Sequence, residues 1–134
     1  MISLDTNLIF SALNSKDANH QRALAALELY KLEAMCVCPV VRSELRASRA
    51  WAGLEGWLTL QGIQVVWEMP PSVWDAAGVA YGNYAMLRKS GTLARRIAAD
   101  FLIGAHAEYH QLEMLTFDQT IFKAVFPQVK VLAT

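Results

Sequence analysis

The chain has 134 residues and is 54% apolar, enough for one domain with a real core and too apolar for a disordered chain. Its 12 basic and 12 acidic residues cancel, so no net field draws it to nucleic acid or a membrane, and any polyanion site must be local. No apolar run reaches the length of a membrane span, and MISLDT at the N-terminus is expected to be a strand from the first residue, without a basic leader.

Met1 to Asp5 reads as a short strand ending in a polar cluster. Leu8 to Leu13 starts a helix that Asn14-Ser15 breaks. Asp17 to Lys31 reads as an amphipathic helix with Leu24, Leu27 and Tyr30 at helical spacing. Met35 to Cys38 is a strand, and Pro39 opens a helix through Ala47. Cys36 and Cys38 are too close in an extended segment for an unstrained disulfide, which points to a reduced, intracellular, cytoplasmic chain. Leu54 to Leu60 is a further helix, and Ile63 to Trp67 a strand bounded by Gly62 and Pro70-Pro71. Ser72 to Arg88 is a long helix, stopped near Ser90-Gly91. Ala98 to His110 is an apolar helix, Leu112 to Phe117 a buried strand, and Gln119 to Phe126 a short helix. Pro127 ends it, and Val129 to Leu132 is a last strand.

Strands and helices alternate, so an α/β fold is expected, with a mainly parallel central sheet of four to five strands flanked by helices. Sites in such sheets form outside the carboxyl ends of the strands. Asp5 ends the first strand, Asp118 follows the fourth, and Glu44 lies just past the second. Asp100 stands in the apolar run IAADFLIGAHA, on a helix expected to be largely buried. An ionised carboxylate there needs a proton, a hydrogen bond or a cation.

Four carboxylates on one edge suit a hard divalent ion, which takes oxygen ligands. Two such ions ~3.5–4 Å apart can clamp both oxygens of a phosphodiester displacement. Without an ion the acids repel, and at least one pKa should rise. Each acid also has a plainer reading. Asp5, Thr6 and Asn7 are all good helix caps, and so is Asp118, with Thr116 satisfying nearby backbone. Glu44 could be an exposed helix charge, but it lies roughly 160–200° around its helix from Arg42, Arg46 and Arg49. Asp100 has the weakest alternative, because Ile97, Gly104 and Ala107 share its face, and the small pair would admit a backbone or a solvated ion.

LDTNLIFSAL at 4–13, VVRSELRA at 40–47, AADFLIGAHA at 98–107 and MLTFDQTIF at 114–122 together resemble the PIN-domain nucleases, and most closely the VapC-type toxin ribonucleases of bacteria. The resemblance spans nearly the whole chain and implies a single three-layer PIN-like nuclease domain over residues 1–134. It puts the family's acids on Asp5, Glu44, Asp100 and Asp118, with Asn7 and Thr116 as supporting polar residues. It implies a magnesium- or manganese-dependent endoribonuclease in which Asp5, Asp100 and Asp118 hold the ion or ions. Glu44 would complete the shell or orient the attacking water. It also implies 5′-phosphate and 3′-hydroxyl products, a homodimer, and an antitoxin protein that inserts a segment near the acids. One departure is Ile121, where the family commonly has an aromatic residue; Phe122 follows, which reads as a packing variation.

Arg88, Lys89, Arg95 and Arg96 flank the loop before the Asp100 helix and are candidates for substrate backbone contacts. The stripe Arg42, Arg46, Arg49 reads rather as a solvated helix face. His106 and His110 have a spacing that can bind zinc, but HAEYH is not the zincin motif and no third ligand is evident, so surface or partly packed histidines are expected. The four tryptophans, Trp51, Trp57, Trp67 and Trp74, suit a core or a dimer face better than base stacking. No Gly-rich phosphate loop or G-x-S-x-G elbow occurs. Two other readings stay open. A haloacid dehalogenase-like phosphatase would use Asp5 as nucleophile, but its acid/base position holds Asn7, which cannot transfer a proton. A catalytically silent PIN-like module would bind RNA without cutting it.

Overall fold

The structure is a computed structural model that describes residues 1–89, 98–132 and 134. Four strands form a wholly parallel sheet: β1 (Ile2–Leu4), β2 (Met35–Val37), β3 (Gln64–Val65) and β4 (Glu113–Leu115), in the order β3-β2-β1-β4. The expected last strand is reduced to one parallel bridge, Val131 with Met114, which extends the β4 edge. Between the strands run α1 (Thr6–Leu13), α2 (His20–Leu29), α3 (Pro39–Arg46), α4 (Trp51–Leu60), α5 (Pro71–Lys89) and α6 (Ala98–Tyr109), with α7 (Gln119–Val125) after β4. Parallel neighbours need crossovers, and the helices supply them.

The sheet centre is dry. Ile2, Leu4, Val37, Met114 and Leu115 are buried, as central parallel strands covered on both faces require. Pro39 at the start of α3 fits a position whose N–H has no helical partner. α2 departs from expectation. Its buried residues are Ala23 and Ala26, while Leu24 is 41% exposed and Leu27 and Tyr30 only fringe the core. α2 lies close against α1, and alanine allows that approach where leucine would hold the helices apart. Cys36 and Cys38 are free, buried thiols, and burial pushes both up to about 11.

Gly104 also differs from its expected role. A Cβ there would stand 2.2 Å from the Phe126 ring, so the glycine admits an aromatic ring of the core rather than an ion. Ile97, expected on the same face, and the stop near Ser90-Gly91 lie outside the described residues.

Candidate active site

The parallel sheet sends β1, β2 and β4 out along one edge, and the polar residues that follow them meet there. Asp5 takes an extended conformation as the N-cap of α1 and is only 4% exposed. Its Oδ1 accepts the Thr6 amide at 2.8 Å, and its Oδ2 accepts the Thr116 hydroxyl at 2.7 Å. The Thr116 oxygen in turn accepts the Asp118 amide at 3.0 Å. Asp118 is the N-cap residue of α7, but its side chain makes no cap bond. Its Oδ2 instead accepts from Asn7 Nδ2 at 3.2 Å. From the other side, the Thr6 hydroxyl donates to Glu44 Oε1 at 2.7 Å.

These bonds form one path, Glu44–Thr6–Asp5–Thr116–Asp118–Asn7, in which hydroxyl, amide and backbone donors separate the carboxylates. The plain reading of Asp5 holds, since it caps α1, and the cap leaves its other oxygen free to join the path toward Asp118. Thr6 was visible in the sequence only as a cap candidate, yet its hydroxyl ties Glu44 to the rest. Its position one residue after Asp5 was the one available signal.

Asp100 lies in the first turn of α6 and is half-buried, not largely buried. The fully buried part of α6 begins at Phe101 and continues from Ile103 to Ala107, leaving the first turn at the rim. The buried charge is Asp5. Its carboxyl is raised from 3.8 to about 6, chiefly because burial removes water from the anion. The bonds from Thr116 and Thr6 oppose that rise, and the negative charges of Asp100 and Asp118 add to it. Repulsion among the acids is therefore present, but second to desolvation.

Donor chemistry fits a hard divalent cation in kind. The set offers carboxylate oxygens and the Asn7 Oδ1, which is buried without a hydrogen-bond partner among the described residues. Asp5 adds a carboxyl whose ionisation a cation would relieve. Preset spacing is not part of the fit. Among the described residues, no three His, Cys, Asp or Glu side chains already stand together as a shared ligand group.

The other candidates divide. Arg88 and Lys89 are exposed in the last turn of α5, whereas Arg95 and Arg96 lie outside the described residues. Arg42 and Arg46 lie over the Trp51 ring at 4.4 and 5.6 Å, and Arg42 stands 3.8 Å from Glu55. Trp51 and Trp57 pack against the core, while Trp67 and Trp74 are exposed. His106 is fully buried, contrary to its expected surface or partial packing. Its Nε2 donates to the Val66 carbonyl at 2.8 Å, and His110 Nε2 reaches the Glu68 carbonyl at 2.8 Å. The pair pins the segment after β3 to α6. Burial holds His106 below the ordinary histidine pKa, and His110 beside it pushes the same way.

A family model, PIN domain, matches the chain over residues 2–126. The chain belongs to the PIN domain family. Among solved structures it is similar to FitAcB from Neisseria gonorrhoeae, at 23% identity and a TM-score of 0.67, covering 99% of this chain and 97% of the other. It is also similar to VapBC2 from Rickettsia felis, solved with a DNA fragment from its promoter, at 19% identity and a TM-score of 0.63, covering 98% of both chains. DNA-bound VapBC from Salmonella typhimurium matches at 19% identity and a TM-score of 0.62, covering 98% and 96%. At these identities the likeness is one of fold. No curated protein is a significant sequence match.

Proposed function

We propose that the chain is a divalent-metal-dependent endoribonuclease, the toxin of a toxin–antitoxin pair, with residues 1–134 acting as one nuclease domain. The observation that carries this reading is the path from Glu44 through Thr6, Asp5 and Thr116 to Asp118 and Asn7. Membership of the PIN family supports a nuclease, and the VapBC and FitAB neighbours support a toxin.

Asp5, Asp100 and Asp118 would hold Mg2+ or Mn2+. An ion of this kind would supply positive charge to the developing transition state and ease loss of a proton from the attacking water, leaving hydroxide as the nucleophile. Thr116 fixes the Asp5 carboxylate, and Asn7 fixes that of Asp118. Glu44, held by Thr6 through one oxygen, has a second oxygen with which to orient the attacking water. Arg88 and Lys89, with Arg95 and Arg96, would meet the RNA backbone. Asn7 donates an amide hydrogen to Asp118, a holding role that gives no support to the phosphatase reading.

The antitoxin would use the apolar hollow of about 470 Å³ lined by Phe10, Leu13, Leu54 and Trp57, one end of which is α1. A homodimer would cover the outer face of α5, where Trp74, Val79 and Met86 are exposed. No described helix is long and apolar enough to cross a membrane, and we place the protein in the cytoplasm.

Incubation of the purified chain with single-stranded and structured RNA tests the reading. New 5′-phosphate ends that need Mg2+ or Mn2+ and vanish with chelator are expected. RNA binding that ignores chelator, with no cleavage, would make the chain a silent binding module.

A further inference from the structure

We infer that Arg22 is a substrate-positioning residue that grips an RNA phosphate beside Asp118; the inference rests on the ribonuclease reading above. A cluster of four carboxylates repels a polyanion, and the chain's zero net charge offers no compensating field. Beyond the bound ion and the basic residues at the end of α5 and before α6, a fixed cation next to the β4 loop would help hold the backbone in register. Arg42 and Arg46 are committed to Trp51, and Arg42 also faces Glu55. Arg88 and Lys89 end α5.

Arg22 is placed differently. It is exposed in the first turn of α2, and its guanidinium carbon lies 4.9 Å from the centroid of the Phe117 ring. Phe117 is the residue between Thr116 and Asp118, both members of the acidic path. The ring therefore ties a cation to the residue that joins Thr116 to Asp118 in the loop after β4. An aromatic face orients a guanidinium without neutralising it, as a carboxylate would. No side-chain carboxylate pairs with Arg22 among the described residues. Thr134 accepts from Nε at 3.5 Å and from Nη2 at 2.7 Å, which further fixes the plane of the fork. Arginine has five donors, so others remain for phosphate oxygens, whose geometry the fork matches.

The test measures binding of a fluorescent single-stranded oligoribonucleotide by the full chain across a salt series, with Ca2+ present. It compares wild type, Arg22→Gln, Phe117→Leu and Arg46→Gln, each checked for folding by circular dichroism. Loss of one phosphate contact should lower the salt slope by ~0.7 in Arg22→Gln. Affinity should drop about tenfold. Phe117→Leu should fall between that variant and wild type, and Arg46→Gln should match wild type. In Mg2+, Arg22→Gln should raise KM for RNA more than it lowers kcat. Wild-type slope and KM in Arg22→Gln, in a chain that cleaves RNA, would overturn the role of Arg22 alone. A wild-type chain that neither binds nor cleaves RNA would overturn the ribonuclease reading with it.

Discussion

The Thr116 hydroxyl donates to Asp5 across 2.7 Å, joining the loop after β4 to the end of β1 over 111 residues of sequence. The same oxygen accepts the Asp118 amide, so one side chain sets the spacing of two candidate ligands. Thr116 is fully buried, and neither bond can be replaced by water without opening the site.

Thr116→Val keeps the shape and removes both bonds. It should destabilise the fold by ~1–3 kcal/mol, because a buried carboxylate loses a donor and a buried amide loses an acceptor. Asp5 should titrate above its present value of about 6, since the Thr116 bond now lowers it. Urea denaturation and a pH titration check this, and Thr116→Ser should restore most of both.

Asp5 makes the metal-free fold pH-dependent in an unusual direction. Between 3.8 and about 6 the folded chain keeps a proton that the unfolded chain has released. Stability should therefore fall as pH rises through that window, by ~3 kcal/mol in all, and stay low above it. Asp5→Asn should abolish this loss. Its amide can still accept from the Thr6 N–H and donate to Thr116, whose hydroxyl can turn. Thermal melts with and without Mg2+ should show the ion stabilising wild type more than Asp5→Asn at neutral pH.

His106 works with the opposite sign. Its folded pKa lies below 6.5, so the unfolded chain takes up a proton first as pH falls. The stability it contributes is complete above the unfolded value and is lost as pH drops toward the lowered folded value. Burial is the main cause, since it strips water from the charged ring; the Val66 carbonyl bond to Nε2 opposes it, and His110 adds to it. Nδ1 is buried without a hydrogen-bond partner among the described residues, so a second ring proton would have no acceptor there. His106→Gln should flatten that part of the melting-temperature profile while leaving the Asp5 part in place.

The Asp5, Glu44 and Asp118 positions were legible because each follows a short apolar run at the carboxyl edge of an alternating α/β pattern. Asp100 was expected within a largely buried helix and is half-buried instead, because the apolar run around it does not show that the first turn of α6 stands at the rim of the core. Thr6 and Arg22 left almost no trace. A hydroxyl 38 residues from its carboxylate and an exposed arginine over a distant ring carry no periodic signal. The α2 stripe was misplaced because small alanines pack where leucines were expected. Gly104 was recognised as a close-approach point, but only the fold shows that Phe126 is what approaches.

Gly104→Ala should cost ~1–3 kcal/mol, because the buried Phe126 ring must move to admit a methyl group. Chemical denaturation measures the loss. Adding Phe126→Leu should recover part of it, a non-additivity that a merely weakened helix would not show.

Asp100→Asn against wild type, assayed for Mg2+- and Mn2+-dependent RNA cleavage over a metal titration, bears most directly on the four-acid site. Asp100 is half-buried in the first turn of α6, so the variant should fold. The expected result is a folded protein with activity reduced by about 100-fold or more and a metal requirement shifted to higher concentration. A folded Asp100→Asn with wild-type cleavage and an unchanged metal titration would contradict the assignment.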